Sequence, residues 1–134
     1  MARLLRRAEP ENVAFRNSLI RLSLLTGQEA DDPHRLADSL LGENPGHPEV
    51  AATGALSLLL RHKSKEALAL LSALKTEQLQ DPLIAFYYGL VLTANGQPEK
   101  AREYLRAARA KPLLPEEESL LAKFTSPSAA QAAP

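Results

Sequence analysis

Residues 81–111 read DPLIAFYYGLVLTANGQPEKAREYLRAARAK, and residues 47–75 read HPEVAATGALSLLLRHKSKEALALLSALK. Laid over each other without a gap, the two stretches pair Pro48 with Pro82, Ala51 with Ala85, Leu58 with Leu92, Ala67 with Ala101, Leu71 with Leu105 and Ala73 with Ala107, every pair separated by the same interval. A fixed period of that length marks a repeat array, in which each unit is one supersecondary element. Each unit is a helix opened by proline, a polar turn and a second helix. Pro48, Pro82 and Pro98 all suit a first helical residue, whose missing N–H costs nothing. Asn95-Gly96 supplies a stop that tolerates left-handed backbone, so the two helices of a unit are antiparallel neighbours. Gly89 lets the first helix lie close to the second, where Ala101 and Ala108 form a short face with Leu105 between them. One such hairpin cannot cover its own apolar faces. The units therefore stack, giving a right-handed array of hairpins with a concave side.

Composition agrees. The 134 residues hold 16 Lys+Arg against 16 Asp+Glu, no Cys, no Trp and only 4% aromatic residues. The core must be built from Leu and Ala, which are helix formers, so the expected fold class is all-α. Charge balance removes the basic face that nucleic-acid binding needs. Without cysteine there are no disulfides, thiolate zinc sites or cysteine nucleophiles.

At these residues the chain resembles the tetratricopeptide repeat family, whose motif has the same period. With Pro82 as motif position 1, Gly89 falls at the small position 8, Gly96 at the turn position 15, Ala101 at 20, Leu105 at 24 and Ala108 at 27. The unit from Pro48 matches less closely, with Ala55 at position 8, His62 at the turn, Ala67 at 20, Leu71 at 24 and Leu74 at 27. Ala51 and Ala85 stand where the family usually has a large aromatic, and Leu58 and Leu92 where it has tyrosine. A third unit lies upstream, with NSLIRLSLLTG and DPHRLADSLLGENPG as its helices. A strict shift by one period would bury Arg21 at position 8 against the partner helix, at a cost of several kcal/mol. Sliding by one puts Ile20 there and Gly27 at the turn, with one extra residue around 29–32 and Asp32 capping the second helix ahead of Pro33.

The resemblance implies a right-handed superhelical α-solenoid. Its expected organisation is a degenerate repeat over 11–47, repeats over 48–81 and 82–114, a capping helix over 115–124 and a disordered tail over 125–134. In the capping helix Pro115 marks the start, Glu116, Glu117 and Glu118 favour the positive end of the dipole, and Leu120, Leu121 and Phe124 share a stripe. Residues 1–10, MARLLRRAEP, read as the end of a preceding helix stopped by Pro10, or as a short N-terminal cap. The first reading implies an N-terminus cut from a longer chain and the second a native one.

Chemistry-bearing constellations are few. His34, His47 and His62 stand apart in turns or helix starts, with no metal-ligand spacing and no nucleophile, base and orienter together. His34 follows Asp31 and Asp32, a pairing that suggests a small metal site but is better explained by capping. Gly-rich phosphate loops are lacking. The basic runs Arg3, Arg6, Arg7 and Arg61, His62, Lys63, Lys65 are diluted by Glu9, Glu11 and Glu66 and read as solvated ends. Arg102, Arg106 and Arg109 form an outward face with Glu99 and Glu103 in pairing range. No enzyme activity, cofactor or metal is expected.

By the family's geometry the concave side of each first helix carries the ligand. That assigns Leu83, Phe86, Tyr87 and Leu90 in the unit from Pro82, and Thr53 and Leu56 in the unit from Pro48. Asn17 and Arg21 add a polar corner able to hold a carboxylate or a backbone carbonyl. Phe86 and Tyr87 are the anchor candidates, since flat rings bury area at low entropic cost, unless they pack on a helix of this same chain or its tail. Some members clamp acidic tails with Lys, Asn and Arg, but here those slots hold Ala52, Thr53, Leu56, Leu83 and Tyr87. The expected function is a non-enzymatic protein–protein interaction scaffold that takes a peptide or protein surface in an apolar groove. The alternative is a structural C-terminal segment of a longer repeat protein, its groove filled intramolecularly or by self-association as a homodimer. No nucleic acid and no membrane insertion are expected. A cytoplasmic location follows by default, as 1–10 carries charge where a signal peptide is apolar and no segment approaches the ~18 apolar residues of a span.

Overall fold

A computed structural model describes residues 10–27 and 32–125. The upstream segment 1–9, most of the turn given an extra residue and the tail from 126 lie outside the described residues. The described chain is all-α, with no strand among the described residues. In chain order the helices are α1 (Pro10–Thr26), α2 (Pro33–Glu43), α3 (Pro48–Leu60), α4 (Ser64–Ser72), the short α5 (Thr76–Leu79), α6 (Pro82–Ala94), α7 (Pro98–Ala108) and α8 (Pro115–Thr125).

Backbone hydrogen bonding repeats with the sequence period. The α3–α4 turn closes with Lys63 N–H donating to Leu58 O at 2.8 Å and His62 N–H to Leu59 O at 3.0 Å. One period on, Gln97 donates to Leu92 O at 2.9 Å and Gly96 to Thr93 O at 3.1 Å. Both are Schellman closures, which need a left-handed residue just past the helix. Gly96 supplies it at φ 77°, and His62 supplies it at φ 63° despite its side chain. Gly27 ends α1 at φ 72°, placing the upstream turn one residue more than a full period before His62. Asp32 then accepts from His34 N–H at 3.1 Å and Arg35 N–H at 3.3 Å, capping α2.

Sequential helices pack as pairs, α1 on α2, α3 on α4 and α6 on α7, while α3 also meets α1, α2 and α6. The middle of α3, Val50 to Ser57, and of α6, Ile84 to Leu92, is buried throughout. Helices apolar all round belong at the centre. Their neighbours approach closely: a β-carbon at Gly89 would lie 2.6 Å from the Leu105 side chain, and one at Gly54 would lie 3.2 Å from Leu41 and 3.3 Å from Leu70. Gly54, next to the fully buried Ala55, is thus a point of close approach between α3 and its neighbours.

Turn residues tie each pair to the one before. Arg61 forks onto Asp38 of α2 at 3.0 and 3.3 Å, and the equivalent Asn95 donates through Nδ2 to Ser64 O at 2.9 Å. Arg61, read as part of a solvated basic run, is therefore committed to a carboxylate.

The departures from the sequence reading are local. α1 begins at Pro10, well before Asn17, and α4 ends at Ser72, so Leu74 lies outside it. The chain then makes α5, opened by Lys75 N–H donating to Gln78 Oε1 at 2.9 Å, and buries Leu79.

Candidate functional site

The residues assigned to the concave side fall on three helix stripes, Asn17–Arg21 on α1, Thr53–Leu56 on α3 and Leu83–Phe86/Tyr87–Leu90 on α6. Spacings of three and four keep each stripe on one side of its helix. Asn17, Thr53, Leu56, Phe86, Tyr87 and Leu90 are all buried, and Arg21 and Leu83 are half-buried. The side chains that would meet a ligand are thus already covered, and part of the cover is α8.

α8 has α6 and α1 as its principal neighbours, so it reaches back from the last unit to the first. Its stripe is Glu117, Leu120 and Leu121, with the acid at the N-terminal end of the apolar face. Glu117 is only 6% exposed. Burial of a carboxylate is costly unless it is hydrogen-bonded, and here both oxygens have donors. The Tyr87 hydroxyl donates to Oε2 at 2.6 Å, and the Leu114 N–H donates to Oε1 at 3.0 Å. The second bond is half of a capping box, fixing the start of α8. Tyr87 also meets Phe86 edge to face, with ring centroids 4.9 Å apart.

Electrostatics reinforce the pairing. Burial pushes the Tyr87 phenol well above its ordinary value of 10.0, and the charge and hydrogen bond of Glu117 push it the same way, while Arg21 opposes them. Tyr87 therefore holds its proton above the ordinary tyrosine range and acts as the donor to Glu117. Asn17 has spent its amide on the Glu49 carbonyl of α3, at 3.2 Å. Asn17 Oδ1, Arg21 Nε and Thr53 Oγ1 are buried without a hydrogen-bond partner among the described residues.

Against α1 and α3 the fit of α8 is looser. A cleft of about 240 Å³ opens there, with Leu24, Leu25, Leu56 and Leu60 on one wall and Glu116, Ser119, Leu120 and Lys123 of α8 on the other.

The histidines do not gather. His47 caps α3 by accepting from Val50 N–H at 3.4 Å, His62 holds its turn, and His34 Nδ1 pairs with the buried Ser57 Oγ at 2.7 Å, a contact between α2 and α3 that the sequence does not announce. Among the described residues no three of His, Asp and Glu stand close enough to hold a metal ion. No helix of the described residues is long and apolar enough to cross a membrane.

Comparison with protein-family models, with curated proteins and with solved structures finds no match.

Proposed function

We propose that the chain is a non-enzymatic protein–protein interaction scaffold, a tetratricopeptide-like α-solenoid whose concave groove binds a helix. The observation that carries this reading is α8 itself, a helix lying on α6 and α1 with its buried Glu117 carboxylate on the Tyr87 hydroxyl. A surface that offers apolar stripes and one fixed polar contact has the make-up of a helix-binding groove. Support for the repeat reading comes from turn hydrogen bonds that recur at the sequence period. The test is capture of a partner by the intact chain and by Tyr87→Ala and Phe86→Ala. Truncating a central aromatic anchor costs about 2 kcal/mol or more, so capture should fall roughly thirtyfold with the helical spectrum retained. His47→Ala and His62→Ala should leave it within about twofold. Survival in both aromatic variants would sink the groove reading.

A second reading, a segment of a longer array, is favoured by the outer face of α1. Phe15, Leu19 and Leu22 are 63%, 49% and 39% exposed, on the side of α1 opposite the buried Asn17, Ile20 and Leu24. A further repeat unit would cover such a stripe. Light scattering on the eluting protein separates the two, since self-association through that face gives a dimer and the scaffold reading a monomer.

A further inference from the structure

We infer that α8 is a displaceable occupant of the groove, and that the partner in trans is an acidic amphipathic helix with a glutamate followed by leucine three and four residues later, the spacing of Glu117, Leu120 and Leu121. The inference rests on the scaffold reading and adds the partner's chemistry and the closed state of the groove.

α8 is held by recognition as well as by packing. The only acid on its apolar stripe meets a buried phenol at 2.6 Å, with the Arg21 charge close enough to act on that phenol. Charge-assisted hydrogen bonds of this kind are short and directional, so they select a carboxylate at one position of an incoming helix. The leucines that follow it supply the non-directional part of the contact.

The fit is also incomplete. The cleft of about 240 Å³ lies between α8 and Leu24, Leu25, Leu56 and Leu60, and Leu25 and Leu60 are left half-buried. Apolar wall left short of contact is stabilisation that a helix filling the cleft more fully would gain. α8 therefore holds the site with less than the site can offer. What keeps it there is its tether: residues 109–114 link it to α7, and a short link gives a tethered group an effective concentration on the order of millimolar. A modest occupant sustained by its tether yields to a helix that fits better.

The test uses the full chain and a fluorescent peptide with the sequence of residues 112–124, PLLPEEESLLAKF. The unaltered chain should show no saturable binding below about 1 mM, because the peptide competes with its own tethered copy. Glu117→Gln weakens the tethered copy alone, and the peptide should then bind at least about tenfold tighter. Leu120→Ala, which loosens α8 through its apolar contact, should act in the same direction. Adding Tyr87→Phe to Glu117→Gln should remove the gain, since the peptide loses the donor it came for. No gain in either variant, with the helical spectrum intact, would overturn displacement while leaving a scaffold for other ligands standing. Saturable binding below about 1 mM in the unaltered chain, equally tight in Glu117→Gln and in its Tyr87→Phe double variant, would place the site elsewhere and take the groove reading down with it. Loss of the helical spectrum in both single variants would also overturn the inference, because a displaceable helix is not one on which folding depends.

Discussion

His62 and Gly96, one sequence period apart, hold the same left-handed backbone, at φ 63° and 77°. A β-carbon in this region costs about 1–2 kcal/mol, which glycine avoids. The turn after α3 is thus built to the specification of the turn after α6 with a less suitable residue. His62→Gly should raise stability by up to about 1 kcal/mol, read as a higher urea midpoint, and Gly96→Ala should lower it by a similar amount. A loss of stability in His62→Gly would show that the imidazole does more in that turn than the backbone geometry explains.

Gly89 faces Leu105 so closely that any side chain must displace it. Gly89→Leu should cost roughly 1–3 kcal/mol or more by overpacking. Gly89→Ala should cost less and should be partly rescued by Leu105→Ala, a coupling of about 0.5–3 kcal/mol between touching residues. Strict additivity of the two changes would mean that α6 and α7 do not meet there.

Asp32 and Asp81 each precede a proline-opened helix, yet only Asp32 has a side-chain cap, accepting from two N–H groups. Asp32→Ala should therefore cost about 1 kcal/mol and Asp81→Ala markedly less. Chemical denaturation of the two variants side by side checks the difference; equal losses would contradict it.

How much of this is legible in the sequence depends on how local the cause is. Turn chemistry is local, so the helix pairs, the Gly27 turn and the Asp32 cap follow from residue types and spacing. The partner of a helix is not local. Pro115 and the leucines mark α8 as a helix, but nothing in residues 115–125 says that it turns back to α1 instead of ending the array. One signal is present in the sequence: Glu117 sits three residues before Leu120 and four before Leu121, in line with the apolar stripe, so that burying the leucines buries the carboxylate and calls for a partner. Assigned with Glu116 and Glu118 to the helix dipole, it loses that meaning. α5 escapes a sequence reading because a single turn of helix leaves no periodicity, and the His34–Ser57 contact because it joins residues 23 apart on different helices.

Alkaline pH should expose the buried phenol. Tyr87 keeps its proton in the folded chain above the pH at which an unfolded tyrosine, near 10.0, releases it. The folded state then holds more protons, so stability is complete below about pH 10 and falls as pH rises above it. Glu117 and Arg21 are the charged groups acting on this hydroxyl, the first strengthening the effect and the second opposing it. Between about pH 9 and about pH 11, on either side of that value, Tyr87→Phe should lose less stability than the unaltered chain in urea titrations. Parallel losses would mean that Tyr87 ionises as freely when folded as when unfolded.

α8 is fastened to α6 through Tyr87 and Glu117, and a double-mutant cycle on these two residues measures that link directly. Tyr87→Phe removes only the donor. Glu117→Gln also disturbs the bond to Leu114 N–H, but the cycle cancels whatever the two variants do independently. Equilibrium unfolding of the four proteins should give a coupling of roughly 1.5–3 kcal/mol, the range for a hydrogen bond to a charged group. Additivity within about 0.5 kcal/mol would mean that phenol and carboxylate do not meet in solution, and that α8 is not held on α6 by this pair.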